Sequence, residues 1–175
     1  MGYYDIALQS CSVGSGIESS LGFKRIFLAG KDVALLGARK KGDFPNAIVS
    51  GTDKKLLTEA SRGGARALII EDMRIDRSLI DTMLKRGTVL CMPMSAITSR
   101  EGMERSKAIF LMSGLFGYAK GRGVHVGFVS LAACGAELCS SMQLIEFARL
   151  MGAEEQYARY SISTVNEEIA NGDKG

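Results

Sequence analysis

The sequence predicts an α/β fold of about seven strands interleaved with five or six helices. Three observations predict it. Short apolar runs rich in Val, Ile and Leu recur along the chain. Amphipathic segments with helix start and stop signals lie between them. Some of the runs are continuously apolar, the pattern of strands buried on both faces of a parallel sheet. At 175 residues the chain can bury a sizeable core as one domain, 1–175, and no linker or low-complexity tract divides it. A (β/α)8 barrel typically needs about 250 residues. Two architectures therefore stay open: an open doubly wound sheet, or a closed barrel that is small, irregular and short of eight units.

The expected strands are Tyr3–Leu8, Arg25–Ala29, Val33–Leu36, Ala47–Val49, Ala67–Ile70, Thr88–Met92 and His125–Val129. After the first, Ser15 and Glu18 make a capping box and Gly22 ends a short helix. Thr52 caps a helix through Leu56, Leu57 and Ala60 that Gly63-Gly64 stops. Asp76 caps the next, with Leu79, Ile80, Met83 and Leu84 on one face and Lys85, Arg86 and Gly87 at its end. Thr98 and Glu101 open a longer helix to about Lys120, with Ile109, Met112, Phe116 and Ala119 inward. Ser140 and Gln143 open another, ended by Gly152, and Thr164 with Glu167 starts a short last helix. The last few residues are expected to fray.

Composition narrows the function classes. Apolar residues make up 46% and charged residues 23%, so the chain is not disordered. No apolar run is long enough to span a bilayer, and the first residues lack a basic segment and carry Asp5, so no signal peptide is expected and the location expected is cytoplasmic. The net charge of +3 permits nucleic-acid binding without demanding it. Four cysteines (Cys11, Cys91, Cys134, Cys139) and the single His125 lack the tight spacing of zinc sites, and one histidine excludes every site built from several imidazoles.

The candidate sites are few. Gly14-Ser15-Gly16 lies where a phosphate-cradling turn would, but no G-x-G-x-x-G or Walker lysine accompanies it, so it reads as an ordinary turn. Glu71 and Asp72 end the fifth strand, where α/β folds place chemistry, and Cys134 sits in a small-residue loop. The basic clusters say more. Arg39-Lys40-Lys41 follow the third strand. Arg100, Arg105 and Lys107 open the long helix. Lys120 and Arg122 sit at its end. Arg and Lys on loops and helix starts are the usual phosphate contacts. No aromatic residues interleave with them, which argues against single-stranded base readout.

From Thr88 to Ser163 the chain resembles the ribonuclease P protein subunit shared by archaea and eukaryotes, protein component 3 of the thirty-kilodalton type. The strand Met92–Ile97 leads into Arg100, Arg105, Ser106 and Lys107. A strand follows, Val126-Gly127-Phe128-Val129-Ser130, running into small residues through Ala136. A helix from Glu137-Leu138 to Leu150-Met151-Gly152 comes next. The serine-bearing strand Tyr160-Ser161-Ile162 and a helix Val165–Ala170 close the domain. Upstream, Tyr4-Asp5, Leu21-Gly22-Phe23 and the Ala47–Ile70 block with its Gly51-Thr52-Asp53 turn resemble the family in order. The matches are individually weak and cover nearly the whole chain.

The resemblance implies a TIM-barrel-like fold of the polymerase-and-histidinol-phosphatase type. It implies a non-catalytic subunit that helps the RNA subunit remove 5′ leaders from precursor tRNA. Its partners would be the ribonuclease P RNA, a small ferredoxin-like protein subunit and other ribonuclease P proteins, with precursor tRNA engaged indirectly. It implies no cofactor in this chain, Mg²⁺ being expected with the RNA, and no metal site, since the related phosphoesterases use several His ligands. Arg39, Lys40, Lys41, Arg100, Arg105, Lys107, Lys120 and Arg122 are then the candidate RNA contacts. The alternative is a small α/β enzyme acting on a phosphorylated metabolite through Glu71, Asp72 or Cys134.

Overall fold

A computed structural model of the chain describes residues 2–11, 13–37 and 44–171. The expected contacts Arg39, Lys40 and Lys41, and the expected fraying end at 172–175, lie outside these residues. The described residues form a mixed α/β fold with seven strands. They are β1 (Tyr4–Leu8), β2 (Arg25–Ala29), β3 (Leu35–Gly37), β4 (Ile48–Gly51), β5 (Ala67–Ile70), β6 (Val89–Pro93) and β7 (Val126–Val129). Strands β3 to β7 pair in chain order into one parallel sheet, and β1 pairs with β2 in a parallel two-stranded sheet. The strands are apolar because both faces are covered. Ala7, Ile26, Val49, Leu68, Leu90 and Phe128 pack with the helices. The alternate residues Ile6, Phe27, Ile48, Ala67, Ile69, Val89 and Cys91 meet one another in a separate buried cluster.

The helices are α1 (Ile17–Ser20), α2 (Lys54–Arg62), α3 (Arg77–Arg86), α4 (Ser95–Thr98), α5 (Gly102–Gly121), α6 (Ser141–Leu150), α7 (Glu155–Tyr160) and α8 (Asn166–Asn171). Asp76 caps α3 through the Leu79 amide at 2.8 Å, and Ser140 with Gln143 forms a complete capping box on α6, both as expected. Other starts differ. Asp53, not Thr52, caps α2, because its carboxylate reaches the Lys55 and Leu56 amides. Glu18 does not cap α1; it turns to accept the Ile26 amide at 2.8 Å. The Thr98–Glu101 box does not form. The strand expected at Met92–Ile97 ends at Pro93: the chain turns there into the short α4, breaks at Ser99–Arg100, and restarts at Gly102 with a positive φ of 50°. The buried face of α5 is Ala108, Met112, Leu115, Phe116 and Ala119, one residue off the expected face at Ile109.

The largest correction concerns the C-terminal part. Tyr160-Ser161-Ile162 is not a strand: α7 continues through a π-type turn at Ser161–Val165 directly into α8, so Thr164 starts no helix. This continuous helical arm serves the free edge of β7. An unpaired strand edge leaves amides and carbonyls that must find partners when buried. The Val126 amide donates to the Tyr157 hydroxyl at 3.1 Å. Ser161 Oγ donates to the Val126 carbonyl at 2.6 Å and accepts the Phe128 amide at 3.2 Å. Asn166 Nδ2 donates to the Phe128 carbonyl at 2.6 Å and to the Tyr4 carbonyl of β1 at 2.9 Å.

Beyond β7 the main chain reaches β1 itself. The Leu131 amide donates to the Ile6 carbonyl, and the Leu8 amide to the Ala132 carbonyl, each at 2.9 Å. At the other side Ala29, at the end of β2, forms a parallel bridge with Val33, which leads into β3. The two sheets are thus linked at both ends.

Candidate nucleic-acid interface

The carboxyl ends of the strands open into a cavity of about 560 Å³. Leu8, Leu35, Ile69, Cys91, Pro93 and Leu131 line it with apolar surface, and Ser50, Glu71, Ser95, Ser99, Arg100 and Glu137 supply the polar groups. Ser50 Oγ donates to Glu71 Oε1 at 2.6 Å. Asp72 is held outside this cavity by the Lys54 ammonium at 2.5 Å and also accepts the Arg74 amide. Cys134 is exposed and lines neither this cavity nor the neighbouring cleft. Glu71 and Asp72 thus meet only in the neighbouring cleft, and Cys134 joins neither. Burial pushes the Cys91 and Cys139 thiols up to about 12, so both are inert. Among the described residues no cluster of three His, Cys, Asp or Glu side chains is placed to hold a metal ion.

The α4–α5 break puts three of the expected RNA contacts at this same end of the molecule. Arg100 ends the loop before α5 and lines the cavity; one of its terminal nitrogens donates to the Ala96 carbonyl. Arg105 Nε donates to the Arg100 carbonyl at 2.6 Å, which fixes the guanidinium over the helix start. Its terminal nitrogens make no hydrogen bond among the described residues, and Arg105 is exposed. Lys107 is exposed and makes no ion pair among them. Arg100 and Lys107 line a shallow cleft of about 200 Å³ together with Arg74. Sequence reasoning missed Arg74, whose only signal was its place just after β5. Glu71, Asp72 and Glu104 line the same cleft, so its charge is mixed.

Lys120 and Arg122 lie elsewhere. They sit at the far end of α5, a 20-residue helix and therefore about 30 Å long. Lys120 lies over the Tyr157 ring at 4.8 Å, and Arg122 is paired with Asp81 at 2.6 Å. The structure thus divides the expected contacts into two groups at opposite ends of α5. His125 stands half-exposed at that far end, edge-on to Tyr160 at 6.0 Å and 3.8 Å from Glu168. No helix among the described residues is long and apolar enough to cross a membrane.

No family model matches the sequence, and no curated protein matches it. Solved structures do. One is a chain of archaeal ribonuclease P with mature tRNA: TM-score 0.63 at 12% identity, over 97% of this chain and 84% of that one. Another is ochratoxinase from A. niger, with TM-score 0.56 at 14% identity over 81% of this chain and 40% of that one. A third is a Xaa-Pro dipeptidase with bound methionine in its active site: TM-score 0.53, 16% identity, 73% of this chain and 34% of that one. The chain thus spans well under half of the last two proteins. At these identities the likeness shows the fold.

Proposed function

We propose that this chain is a protein subunit of ribonuclease P, of the thirty-kilodalton type, supporting the catalytic RNA in removing 5′ leaders from precursor tRNA. The observation that carries the reading is the extent of the fold match. It runs almost end to end in both chains for archaeal ribonuclease P, and covers only a fraction of the two other proteins. The linked sheets, with an inner cluster of strand residues closed on itself, support an irregular seven-stranded barrel of the TIM type. The protein would act without catalytic groups or a metal of its own, with Mg²⁺ bound by the RNA. Its partners would be that RNA and a small ferredoxin-like protein subunit.

Arg100, Arg105 and Lys107, joined by Arg74, are the phosphate contacts this reading favours. A guanidinium grips two phosphate oxygens at once, and each neutralised phosphate releases counterions. The protein would thereby let the RNA hold its active fold at lower salt. Reconstitution tests this: with the RNA and the other protein subunits, adding this chain lowers the Mg²⁺ needed for precursor-tRNA cleavage. An unchanged Mg²⁺ requirement counts against the reading.

The strand-end cavity favours a second reading, a small α/β enzyme acting on a phosphorylated metabolite held by Arg100. Thermal-shift screening with sugar phosphates and nucleotides separates the two, since a strong shift by one small ligand favours the enzyme.

A further inference from the structure

The strand-end cavity and the basic cleft are not separate. Glu71, Met73 and Arg100 line both, so the cavity adjoins the cleft where Arg74 and Lys107 stand. At about 560 Å³ the cavity lies within the range of about 300–1,000 Å³ typical of small-ligand sites. Its walls are apolar and buried: Ile69, Cys91, Met92, Met112, Leu115 and Leu131 are each at most 7% exposed. The backbone is strained along them. Among the described residues three that are not glycine have a positive φ, and two of these, Met73 at 54° and Leu131 at 46°, line the cavity. A bulky residue holds this conformation only where its surroundings impose it, and such strain gathers at ligand sites.

The polar groups here have unused capacity. Glu71 Oε1 accepts the Ser50 hydroxyl at 2.6 Å, while Oε2 accepts no hydrogen bond among the described residues. The Ser95 and Ser99 hydroxyls make none among them either. Arg100 gives one terminal nitrogen to the Ala96 carbonyl and has others to spare. A carboxylate beside phosphate contacts repels the backbone they hold, so Glu71 calls for a partner group rich in donors. Ionised, it is an acceptor only. Of the four RNA bases, guanine alone carries two adjacent donors, N1–H and N2–H, on its Watson–Crick edge. Adenine, cytosine and uracil each set an acceptor beside their donor there, which a carboxylate cannot pair.

We infer that the cavity receives one unstacked guanine of the bound RNA, read by Glu71, with the phosphate of that nucleotide on Arg100, Arg74 and Lys107 in the cleft. The inference rests on the ribonuclease P reading, which makes RNA the ligand. No aromatic side chain lines the cavity among the described residues. The base is therefore held by enclosure between methionine and leucine side chains rather than by ring stacking, and the unbranched methionines adapt to its flat face. Phosphate contacts alone carry no sequence information, and this pocket adds it at one nucleotide.

Four hairpin RNAs that differ only in one bulged nucleotide test this, in filter binding with the full chain at fixed salt. The guanosine bulge is expected to bind at least about tenfold more tightly than the adenosine, cytidine or uridine bulge, as for one good two-pronged contact. Glu71→Gln is expected to abolish that preference without weakening the other three, and to melt near wild type because Glu71 is exposed. Arg105→Ala is expected to weaken all four alike. Equal binding of the four hairpins overturns the inference and leaves the ribonuclease P reading standing. So does a guanosine preference that survives Glu71→Gln. Binding of none of the four overturns the inference and counts against the ribonuclease P reading as well. Guanosine monophosphate that binds as tightly as the guanosine-bulged hairpin overturns it in favour of the small-molecule enzyme.

Discussion

Asp5 Oδ1 accepts the backbone amide of Ser130 at 2.7 Å, joining β1 to the chain just past β7 across 125 residues of sequence. The same oxygen accepts the Ile6 amide at 2.8 Å, while Oδ2 finds no hydrogen-bond partner among the described residues. The carboxyl is wholly buried. Burial pushes its pKa up from the ordinary 3.8 to about 6, against the hydrogen bonds from Ser130 and Ile6, which lower it.

This shift fixes a pH dependence. A carboxyl with a raised folded pKa favours folding most when protonated. Its contribution is therefore present below 3.8 and lost as pH rises through about 6. At about 1.4 kcal/mol per pKa unit, the loss is about 3 kcal/mol. Asp5→Asn removes this titration. Urea denaturation across that range is expected to show the wild type losing about 3 kcal/mol more than the variant; parallel profiles would refute the assignment.

Asn166 closes the lower part of the same seam. Replacing it with Ala leaves the Tyr4 and Phe128 carbonyls without their donor in a buried setting. Each orphaned group costs about 1–3 kcal/mol. Asn166→Ala is expected to lower stability by roughly 3 kcal/mol in denaturant melts, whereas Asn171→Ala, at the exposed end of α8, is expected to change it little.

Much of this architecture is legible in the sequence. All seven strands fall within three residues of the runs that announce them, because strands buried on both faces must be apolar throughout. Asp76 and the Ser140–Gln143 box are legible because caps are local. The closure is not. Ser161 and Asn166 sit in a stretch that reads as a strand and a helix start, and their work depends on β1 and β7 meeting far along the chain. At the candidate interface, sequence reading finds Arg100, Arg105 and Lys107 through their spacing. It places Lys120 and Arg122 at the opposite end of that helix, but cannot see that Arg122 is taken up by Asp81, or that Arg74 folds in beside Arg100 and Lys107.

On the ribonuclease P reading proposed above, the division of basic residues makes RNA binding position-dependent. Arg105→Ala is expected to weaken binding across RNA sequences and to flatten the salt dependence by about one unit of slope. Arg122→Ala is expected to leave both nearly unchanged, because Arg122 is already paired with Asp81 at the far end. Filter binding over a salt series checks both. Equal losses in the two variants would move the interface off the start of α5.

Recovery from native extract tests the ribonuclease P reading most directly. Tagged full-length protein, captured at moderate salt, is predicted to bring down one abundant structured RNA, and the eluate is predicted to cleave 5′ leaders from precursor tRNA. An eluate with neither RNA nor cleavage contradicts the reading and turns attention to Glu71 and Arg100 at the strand-end cavity.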